Sequence, residues 1–173
     1  MATTETAYFA MGCFWGAERL FARIPGVTQT TVGYMGGSTE NPSYQQVCTD
    51  TTGHAETVRV DFHPEQVSYR QLLEIFFSHH NPTTRNRQGG DVGSQYRSQI
   101  FPTTAAQENA VQAALLELKN RILNLYGAEP VTEISAAAQL PVFYPAEEYH
   151  QRYLEKNPLG YCSIKDNGLM KCN

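Results

Sequence analysis

One cysteine stands where a helix could act on it. Cys13 lies in "GCFWG", residues 12–16, followed by Phe14 and by Trp15, the only tryptophan of the chain. The apolar "TAYFAM" at 6–11 reads as a buried strand. "AERLFARI" places Leu20, Phe21 and Ile24 on one helical face before Pro25-Gly26 stops it. Cys13 is therefore expected at a strand-to-helix turn, beside a helix N-terminus. Unpaired N–H groups and the positive end of the dipole favour thiolate there, and can bring a cysteine pKa from about 8.5 to between about 3.5 and 7.5. The same cysteine could instead be a small packed hydrophobe, since free cysteine is among the most buried residue types.

A carboxylate offers the complementary chemistry. "AETVRVDF" alternates cleanly, with Val58, Val60 and Phe62 on one face and Thr57, Arg59 and Asp61 on the other. Glu56 has the parity of the apolar face. Ionised and unpaired it would be costly there, and desolvation would raise its pKa towards that of a general acid near neutral pH. The other reading puts Glu56 at the strand end, in reach of water. Three further cysteines, Cys48, Cys162 and Cys172, form no C-x-x-C pair with each other or with Cys13, which argues against a zinc ribbon or a thioredoxin-type motif. His54, His79 and His80 form no ligand-spaced set with carboxylates, so no metal is expected, and surface or capping roles are expected for these histidines.

The elements that must position these groups can be read in order. "VTQTTVGYMGG" is a second strand, and residues 38–53 are rich in turns. Ser68 with Gln71 opens a helix whose apolar face is Leu72, Leu73, Phe76 and Phe77. "HHNPTTRNRQGGDVGSQYRS" is a long polar loop, of the kind that is usually functional or disordered. "QIF" is a short strand. Thr104 with Gln107 starts the longest helix, with a stripe of Val111, Leu115, Leu118, Ile122 and Leu125 and a stop at Gly127. "PVTEI" and "PVFY" are further strands or edges. Pro145 with Glu147 and Glu148 starts a last helix, which would stack Tyr149 and Tyr153 one turn apart. From Asn157 the chain is loop-like. Order β-α-β-β-α-β-α implies α+β or α/β, with helices packed on a mixed sheet.

The 173 residues, 41% hydrophobic and 17% charged, suit one globular domain spanning residues 1–173. A net charge of −4 gives no basic footprint for nucleic acid, and no apolar run approaches a membrane span. The N-terminal "MATTETAYF" lacks a signal-peptide pattern, so the expected location is the cytoplasm, where thiols stay reduced.

Five ordered blocks carry a family likeness: "GCFWG" at 12–16, "GYMGG" at 33–37, "YQQVCTDTTGHAE" at 44–56, "GGDVGSQYRS" at 89–98 and "GYC" at 160–162. From about Tyr8 to the C-terminus the chain resembles the class A methionine sulfoxide reductases. The resemblance implies an α+β roll whose central mixed sheet is of the ferredoxin-like βαββαβ type, flanked by helices, with a flexible tail over about 157–173. It implies reduction of methionine S-sulfoxide, free or in proteins. Cys13 would be the nucleophile, and Glu56 would give the proton. Tyr44 and Tyr96 would hydrogen-bond the oxygen, Phe14 and Trp15 would form the methyl pocket, and Asp91 would lie on the wall. Attack leaves Cys13 a sulfenic acid, which condenses with a second thiol. Cys162 is the resolving candidate and Cys172 a possible second, with thioredoxin or a similar dithiol as partner, no cofactor, and a monomeric chain. Cys48 has no arguable partner. Asn81 stands where the family commonly has Asp, so no charge role is assigned there. A thiol hydrolase or transferase, with Cys13 as nucleophile and His79 or His80 as base, is the alternative enzyme class. A non-catalytic module that captures methionine-containing peptides is a third.

Overall fold

Alternation sets the middle of the sheet. In the computed structural model, which describes residues 3–171, β1 (Glu5–Met11) lies antiparallel to β3 (Ala55–Phe62), with Phe9 opposite Val58 and Ala7 opposite Val60. β2 (Val27–Met35) pairs antiparallel with the other edge of β3, setting Tyr34 opposite Glu56. Short pieces extend the sheet: β6 (Ser98–Phe101) beside β1, β7 (Glu133–Ile134) parallel to β6, and β8 (Tyr144–Pro145) beside β2. The order is β7-β6-β1-β3-β2-β8. Its inner four strands have the split βαβ arrangement expected from the sequence. Between β3 and β6 lie β4 (Arg87–Gln88) and β5 (Asp91–Val92), paired as a separate ribbon, and a 3-10 turn at Ser94–Tyr96. The expected long loop thus has structure of its own.

Helices cover one face. α1 (Phe14–Ala22) follows β1, and α2 (Tyr44–Cys48) follows β2. α3 (Tyr69–Ser78) starts with the expected capping box of Ser68 and Gln71. α4 (Ala105–Tyr126) is capped by the Thr104 side chain and stopped by left-handed Gly127. The main core packs Phe9, Val58, Val60 and Ile100 of the sheet against Phe21, Leu73, Phe76, Val111 and Ile122 of the helices. At about 25 cal/mol per Å² of buried apolar area, this layer is the main stabilising contribution. Ala114 joins it, whereas Leu125, expected in the stripe, is 45% exposed. The 3.6-residue period carries Leu125 off the contact face by the last turn.

The expected last helix is interrupted. A 3-10 turn at Glu148–His150 gives way to α5 (Tyr153–Lys156) through Arg152, whose backbone is left-handed at φ 51°. Long-range bonds hold that break. The Arg152 N–H donates to Glu18 Oε1 at 2.7 Å, and the Gln151 amide bonds both N–H and C=O of Val32 at 2.9 Å. Tyr153 therefore stacks on Trp15 instead of Tyr149, with ring centroids 3.8 Å apart. His54 and His80, for which surface or capping roles were expected, are buried, and His80 meets a carbonyl in the last turn of α3. His80 Nδ1 lies 2.6 Å from the Phe76 carbonyl and Nε2 lies 2.7 Å from Ser98 Oγ, and burial pushes its pKa down to about 4.

The chain from Asn157 is irregular, as expected, but it is tied down. Tyr161 donates to Asp91, Ile164 packs against the core, and the Asn167 amide donates to the carbonyls of Phe77 and His80 and to Tyr126 Oη. Cys172 lies outside the described residues.

Candidate active site

Cys13 is the N-cap of α1, at the expected strand-to-helix turn. Gly12 precedes it at φ +98°, a backbone open to glycine, and a Cβ there would meet Gln88 Cγ at 2.9 Å. The thiol makes no capping hydrogen bond, but the backbone N–H groups of Trp15 and Gly16 act to lower its pKa. Yet it is only 8% exposed, and its pKa is pushed up to about 12 by burial first and by Glu56 second. The lowered pKa expected from the helix terminus is not found. Two N–H dipoles do not outweigh desolvation plus a neighbouring carboxylate, so the resting side chain is a neutral thiol.

Glu56 is 2% exposed, which decides against the water-reached strand end. Oε1 accepts the Phe14 N–H at 3.2 Å, and Oε2 accepts Gln95 Nε2–H at 2.9 Å. Burial raises its pKa to about 7 despite those two donors, and Asp91 adds to the rise. Each oxygen thus has one fixed donor, so a proton on Glu56 points away from both. Gln95, on the Ser94–Tyr96 turn, donates also to Cys48 Sγ at 3.7 Å. Cys48, for which the sequence offered no partner, therefore sits beside the network, with the Tyr44 hydroxyl against its sulfur.

Aromatic rings enclose this pair. Phe14 is buried against Tyr34 and His150, with centroids 5.8 and 5.2 Å away. Trp15 is half-buried, and its Nε1–H donates to His150 Nδ1 at 3.0 Å. His150 packs edge-on to Tyr44 at 4.4 Å. Glu147 joins the sides of the site, accepting Tyr34 Oη–H at 2.8 Å and the Tyr44 N–H at 2.9 Å. Tyr44 and Tyr96 are half-buried, and burial followed by neighbours that include Glu56 raises both phenols, keeping them protonated donors. Cys162 approaches from the tail. A Cβ on Gly16 would lie 2.8 Å from Cys162 Sγ and 2.6 Å from Ile164 Cγ1, so only glycine admits the tail this close to the first turn of α1.

A buried thiol, a carboxyl that titrates near neutrality and an aromatic cage are what sulfoxide reduction needs, and the wider comparison agrees. The family profile described as "Peptide methionine sulfoxide reductase" matches residues 5–172. The chain belongs to this family. It is 54% identical to peptide methionine sulfoxide reductase MsrA 1 of Synechocystis over 92% of this chain and 71% of that protein. Methionine sulfoxide reductase A of Corynebacterium diphtheriae superposes with a TM-score of 0.87 at 41% identity, covering 92% of this chain and 77% of that one. Mxr1 of Saccharomyces cerevisiae in reduced form gives 0.85 at 34% identity, covering 94% and 92%. The same yeast protein has been solved in complex with Trx2, where the TM-score is 0.53 at 21% identity over 83% of this chain and 91% of that one.

Within the reductase, the structure gathers Cys13, Glu56, Phe14, Trp15, Tyr44, Asp91 and Tyr96 around one place and brings Cys162 to the adjacent turn. Sequence reasoning missed Gln95, His150 and Glu147. Gln95 lies inside the quoted "GGDVGSQYRS", where only its neighbours Asp91 and Tyr96 drew notice. His150 and Glu147 gave no local signal, because their partners are more than 100 residues away. Among the described residues, no group of three or more His, Cys, Asp or Glu could hold a metal ion.

Proposed function

We propose that this reductase converts methionine S-sulfoxide, free or within a polypeptide, to methionine through Cys13, with Glu56 moving the protons. The observation that carries the reading is the Glu56 carboxyl, buried beside the thiol with its pKa near 7 and both oxygens held. A sulfoxide oxygen leaves sulfur only when protonated. Neutral Glu56 gives that proton while Cys13 Sγ bonds to the substrate sulfur. The thiol proton passes to the carboxylate so formed. The hydroxyl oxygen then passes from the substrate sulfur to Cys13 Sγ, the bond between the two sulfurs breaks, and methionine departs with that electron pair, leaving Cys13 as sulfenic acid. Atoms balance, and Glu56 ends as it began. Tyr44 and Tyr96 donate to the oxygen. Phe14 and Trp15 take the methyl group, whose burial contributes only about 0.8 kcal/mol, so the hydrogen bonds to oxygen must distinguish oxidised from reduced methionine.

Cys162 then attacks the sulfenic sulfur, expels water and forms a disulfide with Cys13. A thioredoxin-like dithiol restores both thiols, with Cys172 as a second relay. The enzyme acts as a monomer, in the cytoplasm, where such dithiols stay reduced. Among the described residues no helix is long and apolar enough to cross a membrane. The hydrolase alternative is not favoured, because His79 and His80 each place Nδ1 against a backbone carbonyl of α3.

The test is chromatographic. Incubation with a methionine S-sulfoxide peptide should release reduced peptide continuously only when a dithiol is present. Cys13→Ser should abolish the product while keeping the circular dichroism and melting curve of the wild type. Sustained product from a clean Ser variant would remove Cys13 from the chemistry.

A further inference from the structure

Cys162 also faces a second surface. A groove of about 260 Å³ runs between α1 and the tail, with Cys162, Leu20 and Ile164 on its floor and Arg19, Arg23 and Lys165 along its sides. Asp166 is the only carboxylate on its walls, and His79 completes them. The charge of the groove is opposite in sign to that of the chain. The chain carries a net charge of −4. Six cations, Arg59, Arg70, Arg97, Lys119, Arg152 and Lys156, are held in ion pairs. Arg19, Arg23 and Lys165 are in none of the ion pairs among the described residues. Three uncommitted cations therefore surround the sulfur that the tail contributes.

We infer that this groove is the docking face for the reductant, and that the partner it fits is a dithiol protein with acidic side chains around its nucleophilic cysteine. The inference rests on the reductase reading above and extends it to how the oxidised enzyme is recognised. The groove reaches Cys162 and not Cys13, which is not on its walls and is buried. A reductant seated here therefore meets the tail sulfur. Its thiolate attacks Cys162 Sγ, and the intramolecular disulfide breaks. The other sulfur of that bond leaves with the electron pair and takes up a proton. The reductant's second thiolate then attacks the mixed disulfide at the reductant's own sulfur and releases Cys162 as thiolate. Two electrons pass, and the reductant leaves oxidised. Arg23 and Lys165, both exposed, supply steering. Complementary charge at a rim acts chiefly on the association rate and screens with salt.

The experiment is the double variant Arg23→Glu/Lys165→Glu, compared with Arg23→Lys/Lys165→Arg and wild type. Neither position belongs to the catalytic site. With thioredoxin as reductant at low ionic strength, kcat/KM of the charge-reversed enzyme should fall about ten-fold or more. The effect should sit in KM, and the gap should close as salt is added. The charge-conserving variant should match wild type. With dithiothreitol, which carries no charge to steer, all three should turn over within two-fold of one another. An unchanged thioredoxin kcat/KM in the reversed variant, or an equal loss with dithiothreitol, overturns the docking face. Failure of the wild type to release methionine in a single turnover would overturn the reductase reading, and the docking face with it.

Discussion

Replacing Glu56 by glutamine should move two observables in opposite directions. The substitution keeps the shape, and its hydrogen bonds can adapt. The Phe14 N–H is fixed in the first turn of α1 and takes the new amide oxygen, while the Gln95 amide can rotate to present its own oxygen to the new NH₂. The stability loss should stay near 1 kcal/mol, the net value of a typical hydrogen bond. Chemistry loses more. A positioned general acid contributes about 10²–10⁴-fold, and the single-turnover release of methionine should fall by that order. In wild type, Glu56 is about half protonated at pH 7 and about a tenth protonated at pH 8, given a pKa of about 7. Wild-type release should therefore decline above pH 7, and the Gln variant should lose that limb. Cys13 should respond the other way. The ionised carboxylate is the second cause of its high pKa, so removing the charge eases deprotonation of the thiol. Alkylation of Cys13 by iodoacetamide should be faster in the variant above pH 7. Below about pH 6, where wild-type Glu56 is itself neutral, the two rates should converge. Superimposed release profiles, or slower alkylation in the variant, would refute the proton-donor role and the charge coupling respectively.

Gln95→Leu removes the donor that restrains the pKa of Glu56, so the descending limb of methionine release should move to more alkaline pH; an unmoved limb would make Gln95 a packing residue only. Gly16→Ala places a Cβ 2.8 Å from Cys162 Sγ and 2.6 Å from Ile164 Cγ1, so the tail must shift. The first methionine should be released at the normal rate while disulfide formation slows roughly 10–100-fold, as expected for a displaced nucleophile, and a sulfenic acid trap should label Cys13 more heavily than in wild type. His80 is neutral in the fold, with its pKa lowered from 6.5 to about 4. Its contribution is complete above pH 6.5 and is lost as pH falls towards 4, because the unfolded chain binds a proton there that the folded one refuses. Urea unfolding should show about 3 kcal/mol of stability disappearing across that window, and the slope should flatten in His80→Gln.

The strands and their faces were legible because alternation is a local property. Glu56 could be placed on the apolar face from its parity with Val58 and Val60 alone. The last helix could not be read correctly. Its break at Arg152 is held by a hydrogen bond to Glu18, 134 residues earlier in the chain, and no pattern within "PAEEYHQRYLEK" records it. Leu125 kept an apolar spacing in α4 and still faces water, because by the last turn the 3.6-residue period has passed the contact face to Ile122 and Tyr126. At the site, residue types and motif blocks pointed to Cys13, Glu56, Tyr44 and Tyr96, which the fold brings together. The groups that orient them stayed hidden, since Gln95 is recognisable only by its distance to Glu56, and His150 only by its bond to Trp15.

The resting state of Cys13 shows why the sequence pointed one way and the structure another. A helix terminus next to a cysteine is visible in the chain, but the volume of protein that covers the sulfur is not. With a pKa of about 12, only about one thiol in 10⁵ is ionised at pH 7, and attack through that fraction would add about 7 kcal/mol to the barrier. The site reduces this penalty if the thiol loses its proton as the substrate oxygen gains one, both exchanged with the same carboxyl. Glu56 is suited to this because its pKa of about 7 lets it give and take at similar free energy. The coupling has a second consequence. A compound without an oxygen to protonate leaves Glu56 with its proton, and Cys13 stays neutral and poorly reactive. On the proposed mechanism, the same burial that withholds thiolate from unselected electrophiles would make the thiol respond to the sulfoxide group, and selectivity would then arise at the chemical step, where an apolar methyl pocket contributes only about 0.8 kcal/mol.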